Sequence, residues 1–394
     1  MKHFIKMLSA GFLVVVLGLA LSPWFVLAAE PPKDPKVLKV GFINNITGPI
    51  SWIGVLHTNC ANLAVKEINA AGGIAGIPME VIFEDNKTGD PKAGLSSMNK
   101  LIFIDKVPAT LVTFSASILA AQPLAAENKV LQINPGGWSP NLLDKPYLFS
   151  NKITGDVMVE NAAKAAWGKG YRKAAILHPN DTAGVYCMKL VEEVWKKWGG
   201  EVVAKETAPM GTTDFQVHLT KIKSARPDVL FLYFYGLDSG YAIKQNRELG
   251  LNVQMYGMLW SNEVYKASGP AGAGFIYSDD YWEPEKAGPW AQRFVESYTQ
   301  TYGKREDKIP SWAVNVYEAI YIVNDLIAEA RKMGGDYYKG ESLKDVLLKK
   351  RKFKSVYGSD LVFRENGSCM KPVGLYQVQA DGSAKLLDVY MPKE

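Results

Sequence analysis

Apolar residues in this chain fall into short continuous runs, separated by stretches in which they recur every three or four positions, and the alternation persists through more than half of the sequence. Runs of the first kind predict buried strands and the longer period predicts helices. The predicted strands cover 37–43, 79–84, 109–113, 130–134, 172–178, 201–206, 228–235, 253–257 and 273–277, with helices between them. Residues 63–85 show the unit. Ala64, Ile68 and Ala71 share a helical face, Gly72-Gly73 supplies the positive φ that closes a helix, and Val81-Ile82-Phe83 is an apolar run bounded by charge. Asp90-Pro91 caps and opens a helix to about Leu101, Asp181-Thr182 starts one ending at Gly199-Gly200, and Asp214 starts a short one before Arg226-Pro227. Such alternation is the mark of α/β folds with parallel sheets.

The pattern divides into two similar halves with a junction near Phe149-Ser150-Asn151-Lys152. After about Asp279 the rhythm changes to two long helical segments, 287–303 and 311–333, then a polar stretch, then final strands around 373–379 and 385–391. A chain of 394 residues exceeds what one hydrophobic core usually organises, so two domains are expected.

The N-terminus predicts the compartment. Lys2 and Lys6 precede the apolar run Leu8 to Leu21, and Val26-Leu27-Ala28 fits a small-residue cleavage site, so residues 1–28 read as a secretory signal peptide. Ser22-Pro23 breaks the run and no basic stop-transfer cluster follows, which argues against a membrane anchor. No cysteine stands where a lipoprotein would carry its lipid. Cys60, Cys187 and Cys369 are scattered and have no CxxC spacing, so isolated thiols are expected and at most one bridge is possible. Without Lys2 and Lys6 the formal charge of +5 falls to near +3, and the one basic cluster, Lys349 to Lys354, reads as a solvated helix end. Nucleic-acid binding is not expected. His3, His57, His178 and His218 make no metal-binding spacing; His178 ends a strand and reads first as a satisfied structural residue, with a place on the cleft wall as the alternative. Gly236 to Gly240 is not a nucleophile elbow, and Gly269 to Gly274 lacks the strand-then-helix setting of a dinucleotide loop. No catalytic residues, metal or cofactor are therefore predicted.

In open α/β sheets ligands sit beyond the carboxyl ends of the strands, facing helix N-termini. That rule nominates the loop Asn44 to Gly54 with Trp52 and Ile53, the segment Thr113 to Ser117 with Ser115, Ala116 and Ser117, and the segment Pro135 to Ser139 with Gly136, Gly137 and Trp138. Ser115 or Ser117 also reads as the N-cap of a helix running from Ile118, and a hydroxyl beside free N–H groups can hold a carboxylate. Trp52, Trp138 and Trp260 would offer flat apolar walls to an aromatic or branched ligand, or a box for a quaternary ammonium.

The stretch Ala64 to Ile74, read with Gly89-Asp90-Pro91-Lys92-Ala93, Thr212-Thr213-Asp214-Phe215, Leu219 to Asp228 and Arg247 to Leu251, resembles the periplasmic solute-binding proteins of the leucine/isoleucine/valine-binding type. The likeness runs over nearly all of residues 37–391. It implies a type I periplasmic binding protein: α/β, two doubly wound parallel-sheet lobes joined by a three-strand hinge with crossovers near 150, 279 and 368. Lobe 1 would be 37–150 plus 280–367, and lobe 2 would be 151–279 plus 368–394. The resemblance further implies a monomer that captures a small solute and presents it to the membrane permease of an ABC importer, or alternatively a periplasmic sensor feeding a receptor. In that family an aromatic residue usually precedes a glycine where this chain has Ala183-Gly184, and an acid that holds the ligand's ammonium falls where this chain has Leu259. Tyr235 matches a family tyrosine that approaches the ligand. Without the acid, an α-ammonium would be buried unpaired unless Asp238, Asp279 or Asp280 substitutes, so an organic acid with an apolar or aromatic body is the expected cargo.

Overall fold

The computed structural model describes residues 34–334 and 336–392; the proposed signal peptide lies outside the described residues. The first lobe opens with β1 (Leu38–Asn44), α1 (Ser51–Ala70), β2 (Met79–Asp85), α2 (Pro91–Phe103), β3 (Ala109–Val112), α3 (Ser115–Glu127), β4 (Leu131–Asn134) and β5 (Leu148–Ser150). These strands form a five-stranded, all-parallel sheet in the order β2-β1-β3-β4-β5. Leu38, Val40 and Phe42 pack into one buried cluster and Ile43 and Val112 into another, so the sheet is covered on both faces. Gly72 and Gly73 adopt φ of 98° and 65° after α1, as the sequence predicts for the turn into β2.

The chain then builds a second lobe from α4 (Gly155–Gly168), β6 (Lys173–Pro179), α5 (Thr182–Lys197), β7 (Glu201–Ala208), α6 (Gln216–Ser224), β8 (Val229–Leu232), α7 (Leu237–Glu248), β9 (Gln254–Met258), α8 (Asn262–Ser268) and β10 (Ile276–Asp280). It continues with α9 (Pro289–Tyr302), α10 (Ser311–Met333) and α11 (Gly340–Lys350), where α10 packs along α1 of the first lobe. Next come β11 (Lys352–Lys354), β12 (Asp360–Phe363) and β13 (Cys369–Met370), a small antiparallel sheet, followed by β14 (Val373–Val378) and β15 (Ala384–Tyr390). The last two return to the second sheet, whose order is β15-β14-β10-β9-β8-β6-β7.

The sequence reading meets several differences here. The strands β14 and β15 join antiparallel, so the second sheet is mixed. The polar stretch after α10 holds α11 and the small sheet, and β5, three residues long, falls below the length at which an apolar run is readable. The predicted strand 273–277 lies three residues further on, which puts Asp279 and Asp280 inside β10.

That shift matters because the three connections between the sheets each carry a buried charge. Lys152 follows β5, Asp279 and Asp280 end β10, and Lys371 precedes β14; all are essentially inaccessible to solvent. The Lys152 Nζ sits 3.8 Å from Asp279 Oδ1 and 3.7 Å from Asp280 Oδ2. From the first turn and a half of α10, Ser311 donates to Asp279 at 2.7 Å and Asn315 to Asp280 at 2.6 Å. The Lys371 Nζ donates to Glu318 Oε2, Asn315 Oδ1 and the Asn151 carbonyl at 2.8, 2.8 and 2.9 Å. Three carboxylates share two ammonium groups here, and burial, partly opposed by Lys152, raises the Asp279 carboxyl above its usual range. Removing one partner of such a pair strands the other charge. Lys371→Met is therefore expected to lower the unfolding free energy in urea by about 3–5 kcal/mol, with the double change Lys371→Met and Glu318→Met recovering most of the loss.

Candidate functional site

A cavity of about 210 Å³ lies between the two sheets, and almost every residue around it follows the carboxyl end of a strand. From the first lobe come Ile53 and His57 after β1, Thr88 and Gly89 after β2, Thr113, Phe114, Ser115 and Ala116 after β3, and Gly136 and Trp138 after β4. The second lobe contributes Asn180, Asp181, Thr182 and Ala183 after β6, Met210 after β7, Tyr235 after β8 and Leu259 after β9; Trp312 enters from α10. In both sheets the strand order reverses at this place, between β1 and β3 and between β6 and β8. Loops that diverge at a switch point leave a crevice, and here two crevices face each other.

Two helix N-termini meet across the cavity and differ in charge. Helix α5 is capped by its own Asp181, whose Oδ1 accepts from the Gly184 N–H at 2.7 Å and whose Oδ2 accepts from the Tyr235 hydroxyl. Gly184 allows this close start, since an added Cβ would lie 2.3 Å from the Pro179 carbonyl oxygen. Burial raises the Asp181 carboxyl, against hydrogen bonds from Gly184 and Ala183. Helix α3, by contrast, begins at Ser115 after an N-cap Phe114 that makes no side-chain cap bond. Its first-turn N–H groups and the positive end of its dipole face the cavity uncovered by a carboxylate. An anion would be accepted at α3 and repelled at α5.

This corrects the expectation that Ser115 or Ser117 caps the helix. Because α3 starts three residues earlier than the apolar period indicates, both serines lie inside its first turn and bond elsewhere. The Ser115 hydroxyl accepts from the Trp138 and Ser139 N–H groups at 2.9 and 3.0 Å, tying α3 to the loop after β4 and leaving its own proton to donate. Ser117 is fully buried and donates to the Asp90 carbonyl.

Of the residues nominated from sequence, Ile53, Ser115, Ala116, Gly136, Trp138, Ala183, Tyr235 and Leu259 border the cavity together. Ser117 and Gly137 do not; the Gly137 N–H is taken by Asn134. Trp52 and Trp260 border a separate narrow pocket of about 10 Å³, whose wall shares Ile53, Tyr235, Leu259 and Trp312 with the cavity. Trp260 is largely a core residue, packed on Phe275 and donating to the Gly382 carbonyl. The acids considered as partners for an ammonium lie elsewhere: Asp238 accepts from the Gly211 N–H at 2.6 Å, while Asp279 and Asp280 belong to the crossovers. His178 is buried against the Pro179 carbonyl and does not border the cavity.

Sequence reasoning misses Asp181, His57 and Trp312 as wall residues and places Phe114 in a cleft segment without singling it out. His57 stands four positions after Ile53, one helical turn on the same face, which is a readable signal. Asp181 was read only as a cap, and Trp312 comes from an element distant in sequence. Phe114 and Leu259, in opposite lobes, both have positive φ, 67° and 56°, and sparsely populated backbone of this kind concentrates at binding sites. Phe114 and Tyr235 close the cavity ring to ring, with centroids 6.3 Å apart.

Two facing open sheets with a cavity between them at their switch points define a cleft for a small solute. The sequence profile of the periplasmic binding protein family matches residues 37–383, and the chain belongs to that family, in its branched-chain amino acid type. Its members are solute-binding proteins, not enzymes. The Leu/Ile/Val-binding protein homolog 1 of Brucella suis is 27% identical over 345 residues, covering 84% of this chain and 88% of that protein. The branched-chain amino acid substrate-binding protein LivJ of Streptococcus pneumoniae, solved with isoleucine, has a TM-score of 0.78 at 24% identity over 91% of this chain and 100% of its own. A solute-binding protein of Rhodopseudomonas palustris, solved with 3,4-dihydroxybenzoic acid, has a TM-score of 0.77 at 24% identity over 91% of this chain and 98% of its own. Among the described residues no helix is long and apolar enough to cross a membrane.

Burial, with a smaller contribution from the Lys152 charge, pushes His57 from its ordinary 6.5 down to about 3, so the ring is neutral in the fold. A depressed histidine contributes stability that is complete above pH 6.5 and is lost as pH falls towards 3, because the unfolded chain takes up the proton first. In urea titrations, the advantage of the native protein over His57→Gln should therefore shrink steadily with acidification across that window and stay level above it.

Proposed function

We propose that the protein is the periplasmic capture component of an ABC importer, secreted through a cleaved signal peptide, and that its cargo is a small carboxylate with an apolar or aromatic body. The observation that carries this reading is the asymmetry of the two facing helix ends. The bare start of α3, with the Ser115 proton, suits a carboxylate, whereas the Asp181 cap on α5 excludes one. Apolar side chains supply much of the remaining wall, chiefly Ile53, Phe114, Trp138, Met210, Leu259 and Trp312, with His57, Thr88, Thr113, Asn180 and Thr182 as polar members. The chamber is smaller than the ~300–1,000 Å³ of sites for drug-sized molecules, which fits a monocyclic or branched acid rather than a peptide or nucleotide. Closure over such a solute would give the permease one shape to recognise.

Asp181 also supports a second reading. It is the one carboxylate bordering the cavity among the described residues, and an ammonium could approach it. Its two oxygens already accept from Gly184 and Tyr235, and its raised proton affinity weakens it as a counter-ion, so a hydrophobic amino acid ranks below an organic acid.

A thermal-shift screen separates the two, since a ligand that binds only the native state raises the melting temperature. The largest shifts are expected from aromatic or branched acids that lack an amino group; a larger shift with leucine or valine than with their des-amino analogues would establish the second reading. Ser115→Ala should weaken binding of the best acid by about tenfold or more, because a hydrogen bond to a charged group is lost. Small-angle scattering should show the particle contract on saturation.

A further inference from the structure

Away from the ligand cavity, the two lobes also meet in an ionic contact. The loop 303–310 joins α9 to α10, and both helices pack on α1 of the first lobe. Helix α8 stands between β9 and β10 of the second sheet. From the loop, Arg305 Nη2 donates to both oxygens of Glu263 in α8, at 3.1 and 3.2 Å. Asp307 steadies that guanidinium from its own lobe, accepting from Arg305 Nε at 2.8 Å, while its other oxygen crosses to accept from the Asn262 N–H at 2.7 Å. Glu306 accepts from the Asn262 side-chain amide at 2.6 Å and lies 3.4 Å from the Lys266 ammonium. Every one of these partners in α8 belongs to the lobe opposite the loop.

Arg305 is the centre of the set. Its side chain is only 17% exposed, whereas that of Glu306 at the rim is 73% exposed. Isolated surface pairs contribute little, but one sheltered guanidinium shared by two carboxylates forms a network, which is the favourable case. Packing gives this contact little support. Asn262, Glu306 and Asp307 border a space of about 490 Å³ that reaches Asp279, Asp280 and Ser311 at the crossovers. Apolar surfaces in contact resist separation in proportion to their area, while polar groups beside such a space can exchange one another for water. The join is therefore firm while made and able to open without exposing a core.

We infer that the Arg305 cluster is a latch between the lobes. It ties a loop fixed to the first lobe to a helix fixed to the second, so any rotation about the crossovers that widens the cleft must break it. The latch then sets what share of the empty protein keeps its lobes together. This goes beyond the capture reading and does not depend on which solute is carried.

Double electron-electron resonance between nitroxide labels tests the latch without cargo. Val55 in α1 and Val217 in α6 are exposed, one on each lobe, and Val55→Cys with Val217→Cys would take the labels alone, because Cys60, Cys187 and Cys369 are buried. A single short distance should dominate in the labelled protein at low salt. Arg305→Gln should raise the ratio of separated to joined lobes by about fivefold or more, and Glu263→Gln should act in the same direction. Combining the two should add little to Arg305→Gln alone, since both remove one interaction. Glu341→Gln, which breaks the Lys129 pair within the first lobe, should leave the distances unchanged. If Arg305→Gln does not fold, Glu263→Gln carries the test. Distances that are the same with and without both substitutions would overturn the latch, as would a long distance dominating the unsubstituted protein or an equal shift with Glu341→Gln. None of those results bears on the capture reading, which is decided by the cargo screen.

Discussion

The structure depends on a buried polar knot at the three crossovers between its sheets. Lys152, Asp279, Asp280, Lys371 and Glu318 carry formal charge in a place without solvent, and each would be prohibitive alone. They are tolerated because α10 supplies Ser311, Asn315 and Glu318 as a shared set of partners and Ser355 donates to Glu318, while the Lys152 ammonium, without a hydrogen bond, rests 3.8 and 3.7 Å from the two aspartates and over the Trp138 ring. Hydrophobic packing would hold the crossovers equally well, but apolar contacts slide and this arrangement does not. Directional bonds hold each of the three connections in one geometry. The knot therefore contributes geometry more than net stability.

With those connections fixed, the doubly wound topology supplies the site. Each sheet opens its own crevice where strand order reverses, and the crossovers set those crevices face to face. The loops that line the chamber need no long excursions. Ile53, Thr113, Ser115 and Trp138 come from one sheet and Ala183, Tyr235 and Leu259 from the other, all within a turn or two of a strand end. The difference between α3 and α5 then makes the chamber polar in one direction, with a positive side of backbone N–H groups and a negative side supplied by the Asp181 carboxylate.

Much of this was legible in the sequence because the physical causes are local. Continuous apolar runs such as Val229 to Phe234 read as buried strands and Gly72-Gly73 reads as a turn, so the parallel α/β class and most of the wall loops followed. What was not legible depends on partners far apart in the chain. The start of α3 was misplaced because Ser115 bonds to Trp138 and Ser139, more than twenty residues away, instead of capping its own helix. Trp312 reaches the cavity only through the docking of α10 on α1. The partner of His57 is Asn44, thirteen positions earlier, a relation without periodic signature. The strands β5, β11 and β13 are too short for pattern to distinguish from loop.

Trp138 stands on both sides of this design, since one part of it borders the chamber and the Lys152 ammonium lies 4.3 Å over its ring. A side chain with two masters constrains how such a protein diversifies. Substitutions at Trp138 that suit a new cargo would disturb the posture of the lobes in the same step, so drift there is held back by the resting geometry. Ala183 and Leu259 carry no comparable second duty. New specificities would accordingly arise first on that opposite wall, with the indole inherited unchanged.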